Sequence, residues 1–260
     1  MHPCRTWLLT LAAAVLLITS CSDEDGGGTP APEELLSCIS ISAGTNHTLA
    51  VTSDGALLSW GFNRYGQLGD GTWTDSDVPV QVGSDTGWYA VSAGDQFSVA
   101  LKADGSLWTW GMGSSGQLGN GTVIGCNTPA MVGSDTDWKE ISAGGSHVAA
   151  IKNDGSLWTW GRNSDGQLGI GSLAARYVPT RVGTDSGWAH VSAGANHCVA
   201  VRKDGTLWAW GYNGSCQLGT GPPVVMQTRP METRPVRVGT DRDWVLASAG
   251  TAHSLAIKRD

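Results

Sequence analysis

The chain has 260 residues, of which 40% are hydrophobic and 15% charged, a balance that excludes bulk disorder and leaves material for a buried core. Thirty-seven glycines and 13 tryptophans against two phenylalanines point to a repeated turn-and-tryptophan pattern built on short strands. Asp23, Glu24, Asp25, Glu33, Glu34 and Arg5 carry four of the seven net negative charges, and a remainder of −3 with no basic stripe excludes a nucleic-acid-binding face.

Residues 1–20 read as an export signal, because Arg5 precedes an apolar run over residues 7–20 that is too short to span a bilayer comfortably. The last three residues of that segment and the one after it, Ile18-Thr19-Ser20-Cys21, resemble a bacterial lipobox, which makes Cys21 the expected lipidated N-terminus of the mature protein. Residues 21–37 are rich in acid, glycine and proline and are expected to form a flexible tether. The expected location is therefore outside the cytoplasm, on the periplasmic or cell-surface side of a bacterial membrane, with membrane contact through the lipid alone.

From residue 38 the chain repeats itself. Ser-Ala-Gly recurs at 42–44, 92–94, 142–144, 192–194 and 248–250, and the longer last step is absorbed by the loop that contains Pro-Pro-Val-Val-Met-Gln-Thr-Arg-Pro-Met-Glu-Thr-Arg after Gly221. The units are expected at about 39–88, 89–138, 139–188 and 189–244, with a partial fifth at 245–260. Within a unit, Thr48-Leu-Ala-Val51 and Leu57-Leu-Ser-Trp60 are strand-length stretches flanking Ser53-Asp54-Gly55, a turn that tolerates positive φ, so they predict a hairpin. A strand ending at Ser-Ala-Gly and another over residues 78–82 bring the number to four, and no stretch sustains a helical period. Four strands repeated at this spacing predict an all-β propeller blade.

Eleven tryptophans fall in three registers: Trp60, Trp110, Trp160 and Trp210; Trp108, Trp158 and Trp208; Trp88, Trp138, Trp188 and Trp244. Once per blade, such rings are expected to pack between sheets. Trp73 lies outside these registers in a variable loop and is a better binding residue. His47, His147, His197 and His253 share a register with Phe97, which neither ligates a metal nor moves a proton, so the position is expected to be structural. Asp54, Asp104, Asp154 and Asp204 precede glycine in turns, and Asp85, Asp135, Asp185 and Asp241 also suggest turns. Cys38, Cys126, Cys198 and Cys216 show no metal-ligand spacing, and their pairing stays open. No triad, phosphate loop or calcium loop is spelled out, so no catalytic residue, metal or cofactor is expected.

His-x-x-Ala-Val, Asp-Gly, Leu-Trp-x-Trp-Gly and Gly-Gln-Leu-Gly, in the order seen from His197 to Gly219, where Cys216 stands for the first glycine of the last motif, resemble the repeat of the regulator of chromosome condensation and alpha-tubulin suppressor family. That resemblance covers residues 39–260 and implies a propeller of the chromosome-condensation-regulator type, with four complete blades and part of a fifth against the seven typical of that family. The expectation is a truncated ring, a non-functional fragment at the extreme, or a ring completed by another chain. The family's founder exchanges guanine nucleotides on chromatin, a role that the export signal and acidic balance argue against. Its relatives also include a bacterial β-lactamase inhibitor, so the resemblance implies a rigid surface for recognising a protein partner of unknown identity.

An asymmetric partner needs features that differ between repeats. The loops after Trp-Gly and after Gly-x-Gly differ most, and in them Arg64, Tyr65, Trp73, Arg162, Arg176, Tyr177, Tyr212 and Arg229 are of the types that dominate interfaces. The alternative is a cell-surface propeller that binds or cleaves a polysaccharide.

Overall fold

The computed structural model describes residues 14–15, 37–221 and 231–260. Cys21, the tether and Arg229 lie outside the described residues. A two-residue strand, β1 (Ala14–Val15), pairs antiparallel with β2 (Ser37–Ala43). With β3 (His47–Thr52), β4 (Leu57–Gly61) and β5 (Ser76–Gln81), β2 forms the first blade, with its strands adjacent in chain order. The second blade is β6 (Trp88–Ala93), β7 (Phe97–Lys102), β8 (Leu107–Gly111) and β9 (Cys126–Met131). The third is β10 (Trp138–Ala143), β11 (His147–Lys152), β12 (Leu157–Gly161) and β13 (Arg176–Arg181). The fourth is β14 (Trp188–Ala193), β15 (His197–Arg202), β16 (Leu207–Tyr212) and β17 (Met231–Val238), and a two-stranded fifth holds β18 (Trp244–Ala249) and β19 (Ser254–Lys258). The expected all-β blades are thus present. The outermost strand of the first begins at Ser76, two residues before the expected start, and Trp88 opens the second blade instead of closing the first.

The hairpin between β3 and β4 closes because Gly55 takes φ +82°, which lets its N–H donate to the Thr52 carbonyl at 2.9 Å. A Cβ there would also lie 2.0 Å from the Thr86 carbonyl oxygen, so the turn must be glycine on two counts. The Asp104 carboxylate of the next copy accepts from the Ser106 N–H (2.9 Å) and hydroxyl (2.6 Å), and that hydroxyl accepts from Trp108 Nε1 (2.9 Å). These bonds hold the Asp104 carboxyl below its ordinary value, with the Ser106 hydroxyl contributing most. Asp-Gly is therefore turn chemistry, as its sequence indicates.

Blades pack in chain order. Ser-Ala-Gly is the inner seam: the Ala93, Ala143, Ala193 and Ala249 N–H groups donate to the hydroxyls of Ser42, Ser92, Ser142 and Ser192 in the preceding blade, at 2.9–3.0 Å. The small residues permit this approach, since a Cβ on Gly44 would stand 2.3 Å from the Gly94 carbonyl oxygen. The five copies line a central cavity of about 380 Å³.

Between blades lie four apolar clusters, in which Trp110, Trp160 and Trp210 are fully buried. Each indole N–H of these three reaches back 2.9 Å to the carbonyl of Gln67, Gln117 or Gln167. A second device sits beneath them. Lys102, Lys152 and Arg202 each lie over two tryptophan rings, Lys152 at 4.7 Å from the Trp138 centroid and 5.0 Å from that of Trp158. The same cations pair with Asp85, Asp135 and Asp185 at 2.6–2.7 Å. The aspartates expected only to make turns thus also fix the cations over the rings. Cys38, Cys126, Cys198 and Cys216 are unpaired.

Candidate recognition surface

The loop after Trp-Gly and the loop after Gly-x-Gly lie side by side at one end of each blade, and a buried asparagine joins them. Asn63 Nδ2 donates to the carbonyls of Thr72 (3.3 Å) and Thr74 (3.1 Å) and to Asp70 Oδ1 (3.1 Å), while its Oδ1 accepts from the Leu68 N–H (3.0 Å). Asn163 repeats this with Ser172 (2.7 Å), Ala174 (3.0 Å) and Leu168 (3.0 Å), and Asn213 keeps the bond from Leu218 (3.1 Å). In the second blade the position is Gly113, and the backbone of Ile124 fills the space, with its carbonyl oxygen 2.5 Å from where a Cβ would be. These asparagines stand inside loops that read as variable. Their signal was the recurrence of Trp-Gly-x-Asn in the first, third and fourth units.

Gln67, Gln117, Gln167 and Gln217 brace the same loops from below, each side-chain oxygen accepting from the backbone N–H two residues earlier at 2.8–3.0 Å. The loops also clamp the neighbouring blade, as the Gly71, Gly121 and Gly171 N–H groups donate to the carbonyls of Asn127, Tyr177 and Thr233 at 2.7–2.9 Å. The rim is therefore stiff, although its outward side chains vary.

Trp73 is 53% exposed, and the residues at the same register in the next two blades, Val123 and Leu173, are 51% and 50% exposed. An apolar side chain thus leaves the surface at the same point of three successive blades. Trp73 has counterparts in position, though not in ring. Around them Ile124, Tyr65, Tyr177 and Val178 are also exposed. The structure gathers Arg64 and Tyr65 around Phe62, with the guanidinium 5.8 Å and the Tyr65 ring 6.2 Å from the Phe62 centroid. Tyr177 lies on β13 against Gly116 of the second blade, and Arg176, also on β13, donates to the Ala175 carbonyl at 3.3 Å. Arg162 bonds Ser164 (2.8 Å), and Tyr212 folds over Gly214, half-buried. The expected binding residues that lie within the described segments therefore spread along a rim instead of converging on one pocket. Among the described residues no group of three or more histidine, cysteine or acidic side chains could hold a metal ion.

Replacing Asn163 by alanine strips one N–H and two carbonyls of their buried partner, and is expected to lower the unfolding free energy by about 1–3 kcal/mol. Thermal melting measures that loss, and limited proteolysis should show new cleavage within residues 172–176. Unchanged melting and cleavage would mean the loops are held by something else.

The registers at the interior are structural in a specific way. Ser98 Oγ donates its one proton to the Gln67 carbonyl (2.7 Å), so the bond to His47 Nε2 (3.0 Å) is donated by the imidazole, and His47 Nδ1 is left with no partner. His147 meets Cys198 (3.2 Å) and His197 meets Ser254 (2.9 Å) in the same way. Phe97 faces Val148 in the blade where both polar groups are missing.

Comparison with known proteins places the whole repeat region in one group. The family model of the RCC1-like domain matches residues 20–260. A segment of 42 residues is 55% identical to the ultraviolet-B receptor UVR8 of Arabidopsis thaliana, covering 16% of this chain and 10% of that protein. A segment of 63 residues is 36% identical to the mitochondrial RCC1 domain-containing protein RUG3 of the same plant, covering 23% and 14%. Among solved structures, Prp20p of Saccharomyces cerevisiae is similar with a TM-score of 0.77 at 22% identity, over 89% of this chain and 58% of that one. Human WBSCR16 gives 0.75 at 24% identity, over 86% and 58%. At these identities the structural likeness is one of fold, and the chain spans less than two thirds of the length of these relatives.

Proposed function

The chain belongs to the RCC1-like domain family, and from that premise we propose that it is a protein-recognition scaffold that binds its partner along the loop rim, outside the bacterial cytoplasm, on a lipid anchor at Cys21. The observation that carries this reading is the apolar side chain presented once per blade by Trp73, Val123 and Leu173, on loops held by Asn63 in the first blade, by the Ile124 backbone against Gly113 in the second and by Asn163 in the third. Exposed apolar groups in series on a rigid frame lose little entropy on binding and supply the buried centre that a protein interface needs. Variation between blades at Tyr65, Ile124 and Tyr177 gives each stretch of the rim its own chemistry. Within the family, Prp20p is described with binding to Gsp1p and histones, so this frame serves protein recognition in that case. The anchor at Cys21 rests on the lipobox-like Ile18-Thr19-Ser20-Cys21 and the apolar run before it.

Affinity capture from the envelope fraction of a bacterial host, with the intact chain and with a Trp73→Ser, Ile124→Ser variant, tests the reading. The intact chain should enrich a protein that the variant holds at least about tenfold more weakly, as expected when interface anchors are removed. A partner that both retain equally would refute the rim. Trp73 offers a flat exposed ring on which a sugar could stack, so binding to envelope polysaccharide that depends on Trp73, without a protein partner, would replace the proposal. Metabolic labelling with a palmitate analogue tests the anchor, and label that persists in Cys21→Ala would refute it.

A further inference from the structure

We infer that the groove between the first and second blades, at their outermost strands, takes an arginine side chain from a basic segment of the partner. This rests on the protein-recognition reading above and names the chemistry of what is recognised. The groove has a volume of about 260 Å³. Trp88, Trp108 and Pro129 of the second blade line it, and the first blade contributes Val82 and two aspartates, Asp70 and Asp85. The two tryptophans meet edge to face with centroids 5.9 Å apart, and Trp108 is only partly buried.

The third junction shows what is missing at the first. There Ile170 and Trp208 pack against the cluster that holds Trp188, and the Arg234 guanidinium lies against Gly171, with Nη2 2.5 Å from where a Cβ on that glycine would be. At the first junction the place of Ile170 is taken by Asp70, and Gly71 faces Thr128 as Gly171 faces Arg234. Asp70 Oδ1 accepts from Asn63 Nδ2 (3.1 Å) and from the Thr72 N–H (2.9 Å), which ties the carboxylate to its own loop. The chain thus supplies neither the aliphatic cover nor the cation here, and the groove stays open.

Charge selects the occupant. Residues 39–138 hold nine aspartates against Arg64 and Lys102, a balance of −7, whereas residues 139–260 hold 13 lysines and arginines against nine acids, a balance of +4. Lys102 is committed to Asp85 at 2.7 Å, and among the described residues no lysine or arginine pairs with Asp70, Asp75 or Asp77. A guanidinium suits this place better than an ammonium, because it lies flat on an indole and offers a fork of N–H donors to a carboxylate. The chain uses that combination itself, where Arg202 lies over Trp188 and Trp208 and pairs with Asp185 at 2.7 Å.

Nuclear magnetic resonance of the isotope-labelled full chain, titrated with argininamide, tests this. The indole N–H signals of Trp88 and Trp108 should shift saturably with a dissociation constant on the order of 1 mM, and lysinamide should bind at least about threefold more weakly. Thr128→Arg, which copies Arg234 and leaves the Asp70 bonds in place, should weaken argininamide binding at least about fivefold with unchanged thermal melting. The Trp73→Ser, Ile124→Ser variant should bind argininamide as the native chain does, so failure of the rim and failure of the groove are separate results. Absence of a saturable shift at the two indoles would overturn the proposal. So would equal binding of lysinamide, or undiminished argininamide binding by Thr128→Arg.

Discussion

Trp160→Ala is expected to lower the unfolding free energy by about 3–5 kcal/mol, the range for emptying a large aromatic site that cannot collapse. The ring is fully buried between the second and third blades, near Leu118, Trp138 and Val148, and its indole N–H satisfies the Gln117 carbonyl. A Cβ on Gly119 would sit 2.7 Å from that indole nitrogen, so the neighbouring turn is shaped around the ring and leaves a void when the ring is removed. Trp73→Ala, in contrast, should stay within about 0.5 kcal/mol of the native chain, because its side chain is half in water. Equilibrium denaturation by urea compares the two. Repeat arrays can unfold in more than one step, so the loss should be concentrated in the transition that includes the second and third blades. Equal effects of the two substitutions would contradict the division between packing tryptophans and a surface one.

Acidification should destabilise the array between about pH 6.5 and pH 4, before the Asp-Gly carboxylates titrate. Burial pushes the imidazoles of His47 and His197 down to about 4 and that of His147 to about 3. The geometry gives the reason: Nε2 already carries the proton shared with the next blade, and a second proton would go to Nδ1, which is buried without an acceptor. The unfolded chain therefore takes up protons at its ordinary histidine value while the folded chain does not. Stability is full above the unfolded value and falls as pH drops towards the folded one, by roughly 3 kcal/mol at most for His47 and for His197 and by more for His147. His190 opposes this. Burial alone would lower its value, but the ion pair with Glu140 at 2.7 Å outweighs burial and raises it, so that contact is strongest in acid and is lost as pH rises. Three depressed imidazoles against one raised leave a net loss. The urea midpoint should therefore fall between pH 7.5 and pH 4.5, and the double variant His47→Phe, Ser98→Val, which copies the Phe97 and Val148 pair, should reduce the fall. A midpoint independent of pH over that window would contradict the buried neutral imidazoles.

The blades were legible because their chemistry recurs at a fixed spacing: Ser-Ala-Gly, Asp-Gly and the tryptophan registers each mark a place where the backbone or a ring meets the next unit. The partner of each mark was harder to read, since it lies about 50 residues away in the neighbouring blade. Ser42 could be seen to repeat, but not to receive the Ala93 N–H. Asp85 repeats visibly, yet its partner Lys102 lies 17 residues on, at the far end of the next hairpin strand, and only the antiparallel pairing of Trp88 with Lys102 brings the two together. The His47 and Ser98 pairing was open to inspection, because Phe97 faces Val148 where both polar groups vanish together. Asn63, Asn163 and Asn213 were hidden by Gly113, whose blade solves the same problem with the backbone of Ile124. At the rim, the exposure of Trp73, Tyr65 and Tyr177 followed from loop chemistry, whereas the shared register of Trp73, Val123 and Leu173 emerges only when the loops are seen tied to one frame.

Amide hydrogen exchange on the chain, with and without its captured partner, tests most directly whether recognition resides in the rim and not in the repeated registers. Binding should slow exchange within residues 62–65, 72–77, 112–115, 122–125, 162–165 and 172–177 and leave the Asp-Gly turns at the opposite end unchanged. Protection centred on those turns, or on the Ser-Ala-Gly segments around the central cavity, would contradict it.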